Sequence, residues 1–298
     1  MSLLSGSIQP PLLSILSSTS SPSISPLWIC HTDNSKDSLI TTLPDTDEDL
    51  IVAESSLKTK SKGCLQHNVI HIQSPNPLKT YIQAGISKFE YLKELERSIS
   101  KIRTIPLGIK LPYFNLQIKK LNSKKEIIFE IGFLNDKSKE GIIRFSSYKN
   151  NPTCHPFRNP PLINLPIKIL NQNEFSTISN NTNNNTLTKW LNISINLNSL
   201  LNLFKILPRS KSKNKSKIEK ENQQEEKEEE EKIKKRKLKI INNQLPSEGK
   251  FQSITYIKIY ANCRIRRIWF SEEGEKTLRS MSKNVQDEWE LYAADKEV

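Results

Sequence analysis

Glycine is scarce in this chain, with eight among 298 residues, and none are grouped as GxGxxG, as a P-loop or as a nucleophile elbow. A phosphate-cradling loop and a hydrolase serine therefore have no candidate. Cysteine is sparse as well: Cys30, Cys64, Cys154 and Cys263 are widely spaced, with no CxxC pair and no secretory signal before them. That usage fits a reducing compartment better than a disulfide framework. Long apolar runs are missing too. Residues 1–26 are Ser/Pro-rich without a charged n-region, and their longest apolar piece, residues 11–16, is too short for a signal sequence or a membrane span. A soluble intracellular protein without a membrane partner is expected. Hydrophobic residues make up 35% and mean hydropathy is −0.55, so fewer residues can pack into a core than the length would allow.

What the chain has in excess is positive charge. Against 32 Asp/Glu stand 45 Lys/Arg, a formal net charge of +13, which favours an acidic partner such as nucleic acid, an anionic surface or the acidic face of a polymer. Part of the excess sits in residues 209–247, where alternating Lys/Ser gives way to a Glu-rich block and then to Lys232-Ile233-Lys234-Lys235-Arg236-Lys237-Leu238-Lys239. Such a run supports at most an isolated helix and holds no core.

The apolar residues that remain alternate with a period of two. Ile127, Phe129, Ile131 and Phe133 form one row and Phe114, Leu116 and Ile118 another, the latter set against Asn115, Gln117 and Lys119. Residues 135–141 supply turn chemistry, and residues 142–147 read as the returning strand of a hairpin. Leu191, Ile193, Ile195 and Leu197 repeat the pattern, and residues 254–260 with 264–270 form a last pair joined by Ala261-Asn262-Cys263. Buried positions are expected at Phe129, Ile131, Ile193, Ile195, Ile257 and Ile259. Helical spacing is confined to residues 87–102, through Phe89, Leu92, Leu95 and Ile99, with two further turns at 200–206. The expectation is an all-β fold, an antiparallel jelly roll or sandwich with one or two short helices. It spans residues 1–298 as a single domain, interrupted by low-complexity insertions at 31–61, 171–188 and 209–247.

Chemistry-bearing side chains are few. His67 and His71 have the i, i+4 spacing of helical zinc ligands, but no HExxH frames them and the flanking Val69, Ile70 and Ile72 read as strand, which makes them exposed strand histidines. Cys30-His31 and Cys154-His155 are adjacent pairs, poor geometry for one metal ion. Asp45, Asp47, Glu48 and Asp49 resemble a calcium loop in charge only, since the required glycine and terminal glutamate are missing. No catalytic, cofactor or metal residue is assigned, and an enzyme is the least supported class.

The densest constellation is Ala261-Asn262-Cys263-Arg264-Ile265-Arg266-Arg267-Ile268-Trp269-Phe270-Ser271. Strand alternation puts Arg264 and Arg266 on a face with Ile268 and Phe270, and Arg267 with Ile265 and Trp269. Two readings stand side by side: an anchor for an acidic partner, or ties to carboxylates of the same domain with Trp269 filling the core. The alternation favours a split, with Arg267 structural and Arg264 and Arg266 nearer the partner.

This segment resembles the C-terminal signature of the cilia- and flagella-associated protein twenty family. Leu107-Gly108-Ile109-Lys110-Leu111-Pro112 looks like a second signature of that family, and weaker agreement runs through Leu27-Trp28, Thr80-Tyr81-Ile82, Arg144-Phe145-Ser146-Ser147-Tyr148, Trp190 and Glu290-Leu291-Tyr292. The resemblance implies a compact jelly roll, with the excess length in the insertions above and in residues 86–105. It also implies a non-catalytic structural protein that docks on microtubules of the cilium, axoneme or basal body, at the inner junction of doublets. Tubulin and neighbouring axonemal proteins are then the expected partners, with Arg264, Arg266, Arg267 and Lys110 as the candidate binding residues. The alternative is a nuclear, nucleic-acid-associated protein, for which residues 232–239 would serve as import signal or phosphate-binding tract. Glycan binding rests on fold analogy alone.

Overall fold

Alternating apolar residues need a second sheet to bury them, and two sheets packed face to face supply it. The computed structural model describes residues 2–4, 6–24, 26–45, 65, 67–96, 104–121, 126–167, 190–209, 245–289 and 291. In chain order the strands are β1 (Leu12–Ser17), β2 (Trp28–His31), β3 (Leu39–Pro44), β4 (Asn68–Gln73), β5 (Tyr81–Gly85), β6 (Tyr113–Lys120) and β7 (Ile128–Asn135). They continue as β8 (Glu140–Ser146), β9 (Thr153–His155), β10 (Leu162–Pro166), β11 (Leu191–Asn196), β12 (Phe251–Tyr260) and β13 (Cys263–Ser271). Among the described residues short α-helices punctuate them: α1 (Lys88–Glu96), α2 (Leu197–Leu200), α3 (Leu203–Ile206), α4 (Glu275–Arg279) and α5 (Lys283–Trp289).

Sheet A has the order β11-β6-β13-β4-β3, and β1 continues the edge of β13 that β4 leaves: β4 pairs with Cys263, Arg264 and Ile265, and β1 with the stretch from Arg267 to Ser271. Sheet B runs β2-β5-β12-β7-β8-β10-β9. Every pair is antiparallel except β8 with β10, which is parallel, so the all-β sandwich is as expected but sheet B is mixed. The sheets meet through aromatic contacts, Phe114 of β6 lying 5.7 Å from Phe129 of β7. Phe129 stacks on Phe145 at 4.8 Å, and Phe133 meets Phe204 of α3 edge-on. Each fully buried side chain of this kind contributes about 2–3 kcal/mol by removal from water.

Phe129, Ile131, Ile257 and Ile259 are buried as the alternation requires, but Ile193 and Ile195 are only half-buried. The reason is position: among the described residues β11 is the edge strand of sheet A, paired with β6 on one flank. The pairing expected between residues 254–260 and 264–270 does not form. β12 lies in sheet B and β13 in sheet A, and Ala261-Asn262 carries the chain between them, with Asn262 at φ 77° and its N–H bonded to the Ile72 carbonyl. The same sheet switch separates β6 from β7.

The stretch 31–61 is not an insertion throughout, because residues 39–44 form β3 in register with β4. Residues 46–64 lie outside the described residues, as do 168–189 and 210–244, so the insertions expected at 171–188 and through most of 209–247 are not described. The last boundary shifts, since Leu245 is buried in the core. Helix α1 is shorter than the expected 87–102, whose residues 97–103 are not described, and Phe89, Leu92 and Leu95 on it are exposed instead of packed. The turns at 200–206 resolve into α2 and α3, while α4 and α5 were not anticipated. Among the described residues no helix is long and apolar enough to cross a membrane.

Candidate partner-docking surface

The arginine strand has a one-residue slip. Between Ile265 and Arg267 the register of β13 against β6 shifts, so Arg266 is the extra residue of a bulge. The slip reverses the alternation that the sequence alone suggests. Ile265, Ile268 and Phe270 belong to the core, whereas Arg264, Arg266, Arg267 and Trp269 share the outer face of sheet A with Asn115, Gln117 and Lys119. That face is not open to solvent. The three arginines are 3%, 5% and 4% exposed, under a cover built from Asp45, Leu65, Trp190 and α5.

Their partners are internal. The Arg264 Nη1 donates to Asp45 Oδ1 at 2.9 Å, Lys119 Nζ reaches the same oxygen at 3.2 Å, and Asp45 Oδ2 accepts from Leu65 N–H and Trp190 Nε1, both at 2.8 Å. Arg264 Nε also donates to His71 Nδ1 at 3.3 Å. His71 is thereby fixed as a neutral acceptor at Nδ1, with Nε2–H toward Gln73 at 3.2 Å; burial and then the Arg264 charge push its pKa down. Arg266 donates to Gln117 Oε1 at 3.3 Å and to the Glu288 carbonyl at 3.0 Å. Arg267 bonds Glu288 Oε1 at 2.7 Å and lies 4.3 Å over the Trp289 ring, which meets Trp269 edge-on. Of the two readings left open by the sequence, the geometry realises the ties within the domain, for Arg264 and Arg266 as much as for Arg267. Lys110 is exposed but lies elsewhere, next to the bridge from Ile109 to Ile254 at sheet B, with its backbone N–H on Gln9. The four candidate residues therefore do not form one surface. His71 is buried, not exposed, and His67 is exposed.

The outer face of sheet B is also buried at Glu130, Asn164, Tyr256 and Tyr260, but its cations Lys258, Arg144 and Lys149 are half-buried and Arg158 is exposed. Register places one row across all seven strands, polar in all but the first: Ile29, Gln83, Lys258, Glu130, Arg144, Asn164 and Thr153. Glu130 is 4% exposed and its carboxylate is held by Arg144 and by Tyr256 Oη at 3.3 Å. Beside this row stand His31, Tyr81 and Tyr260. The His31 ring stacks on Tyr81 at 4.9 Å, and from the strand on the other side Lys258 Nζ sits 3.5 Å over the same ring. Burial lowers the Lys258 pKa and, with Glu130, raises the Tyr260 phenol. A third row has Tyr256 flat over Gly132, where a Cβ would meet the Tyr256 ring carbons at 2.3 Å. Lys149 follows the end of β8 and Arg158 lies in the β9–β10 turn, bracketing the Arg144 end. Burial and the positive charges of Arg158, Lys149 and Arg144 lower the His155 pKa.

Helix α1 borders this face. Its first N–H groups, those of Lys88 and Phe89, are capped by the Glu140 carboxylate at 2.8 and 3.0 Å, and burial raises the Glu140 pKa against those bonds. The sequence did carry a signal for the whole surface, in Tyr256, Lys258 and Tyr260 alternating with Ile257 and Ile259. The assembly of distant strands that gives those residues neighbours was not legible. Among the described residues no three His, Cys, Asp or Glu side chains converge as metal ligands.

No curated protein matches the chain. The family model for the CFA20 domain matches residues 4–186, more than half of the sequence. That match ends before β11, β12 and β13, yet β13 pairs with β1 and β12 is central to sheet B, so the fold built by the matched residues takes in strands beyond them. The chain thus belongs to the CFA20-domain family, named for its association with cilia and flagella.

Proposed function

We propose that this protein is a non-catalytic structural component that docks on microtubules of the cilium, axoneme or basal body, beside neighbouring axonemal proteins. Membership of the CFA20-domain family supports a cilia-associated role. The observation that carries the docking reading is the outer face of sheet B. It is a seven-strand surface with cations at Lys258, Arg144, Lys149 and Arg158 and aromatic rings beside them, while the arginines of sheet A are consumed in holding the fold together. A rigid sheet face with fixed cations suits a static contact with an acidic polymer, because the side chains are already ordered before binding.

The runner-up is a nuclear, nucleic-acid-associated protein, favoured by the net charge of +13; its basic tract, residues 232–239, lies outside the described residues. Co-sedimentation of the purified full chain with polymerised microtubules, over a salt series and beside retention on DNA, tests the choice. Salt-sensitive pelleting with microtubules is expected. Retention on DNA with no pelleting at low salt would replace this reading by the nuclear one.

A further inference from the structure

The polar row of sheet B ends in an unfinished hydrogen-bond arrangement. Asn164 is 5% exposed, sits between the core residues Ile163 and Leu165, and so lies on the outer face; its Oδ1 has no hydrogen-bond partner, and neither has Oγ1 of Thr153 in the next strand of the same row. A buried carbonyl oxygen without a donor costs about 1–3 kcal/mol. Next along the row are Arg144 and, beyond Glu130, Lys258. Lys149 and Arg158 bracket that end, Arg158 exposed and Lys149 half-buried. Among the described residues the anions facing this group are Glu130, already held by Arg144 and Tyr256, Glu90 on α1 and, toward Tyr256, Glu140. Among the described residues cations therefore outnumber carboxylates here, beside a buried acceptor without a donor.

An acidic peptide fits this excess, since its carboxylates match the cations of the row and those of Lys149 and Arg158. Tyr81 is taken between His31 and Lys258 and offers no ring face for a base, but Tyr148 and Phe157 next to Lys149 and Arg158 are exposed, which makes a single-stranded nucleic acid the competing occupant in the test below. We infer that the Lys258–Arg144–Asn164 row, with Lys149 and Arg158, is the binding site for a glutamate-rich acidic peptide laid across the outer face of sheet B. The inference rests on the microtubule reading for its biological setting, since it makes an acidic protein tail the feature of the polymer that is gripped.

The test uses the full chain, a synthetic oligoglutamate peptide followed by fluorescence anisotropy, and oligodeoxythymidine as competitor. The wild type is expected to bind the peptide in low salt and lose it as salt rises. The Lys149→Glu/Arg158→Glu variant is expected to bind about tenfold more weakly, with Lys149→Gln/Arg158→Gln between the two. Both sites are at the surface, and an unchanged circular dichroism melt verifies that each variant is folded. Equal peptide affinity in wild type and both variants overturns the inference, as does tighter binding of oligodeoxythymidine than of oligoglutamate. Co-sedimentation with microtubules whose acidic tails have been removed by limited proteolysis separates the two levels. Equal pelleting with intact and trimmed microtubules overturns the peptide site and leaves the docking reading standing. Peptide binding that the variants lose, without pelleting on either polymer, supports the site and removes the docking reading.

Discussion

Replacing Asp45 by asparagine removes the negative charge that Arg264 and Lys119 share while keeping the side chain's shape. The carboxylate is fully buried and accepts from Arg264, Lys119, the Leu65 N–H and the Trp190 indole. Asparagine can still accept from Leu65 and Trp190 through its carbonyl oxygen, so those two bonds survive. What is lost is the compensation of two buried cations, and breaking a buried pair from one side costs about 3–5 kcal/mol. With two of the four bonds retained, the lower end applies, about 3 kcal/mol; in a domain of this size that lowers the melting temperature by about 6–12 °C. Thermal unfolding followed by circular dichroism reads the change. The double variant Asp45→Asn/Lys119→Met provides the internal check, because the two side chains interact directly and the combined loss should be smaller than the sum of the single ones. A melt of Asp45→Asn within about 2 °C of wild type would refute the claim that this carboxylate holds residues 45, 65 and 190 onto sheet A.

Three further outcomes follow from the packing. Gly132→Ala forces a Cβ into the Tyr256 ring at 2.3 Å and should cost about 1–3 kcal/mol in chemical denaturation, with the loss reduced in a Tyr256→Ala background. Trp289→Ala removes the ring that Arg267 and Trp269 both contact and should destabilise the fold by about 3 kcal/mol; an unchanged denaturation midpoint would mean that α5 is not part of the cooperative unit. His71 has its folded pKa below the ordinary value of 6.5, so the unfolded chain binds the extra proton first: its contribution is present above about pH 6.5 and is lost as pH falls below that. The difference in stability between wild type and His71→Gln should therefore shrink between about pH 7 and pH 5, a comparison in which the opposite trend from Glu140 cancels, and a constant difference would show that His71 does not titrate in that window.

The sandwich itself was legible because Phe129, Ile131 and Phe133, or Ile257 and Ile259, alternate with polar residues, and period-two burial needs no knowledge of the partner strand. The hairpin of β7 and β8 was legible for a related reason, its turn residues lying between the two alternating runs. Pairing at a distance was not legible. Nothing local in residues 251–271 distinguishes a hairpin from two strands that part into different sheets at Asn262. The face of the arginines turned on a single residue, since the bulge at Arg266 moves Arg264 and Arg266 off the face shared with Ile268 and Phe270. Polar residues such as Asn115, Gln117 and Lys119 read as solvent-facing, and are buried because Asp45, Trp190 and α5 arrive from far away in sequence. On sheet B the converse holds: Lys258 and Arg144 are 114 positions apart and become neighbours only through Glu130 between them.

Docking on microtubules of the ciliary apparatus is the role proposed for this CFA20-domain protein. The most direct measurement is the position of the fluorescently tagged full chain in its own cell, imaged together with tubulin. Signal coincident with axonemes or basal bodies, and dispersed when microtubules are depolymerised, is the predicted result. Signal confined to the nucleus, or indifferent to the loss of microtubules, would contradict it.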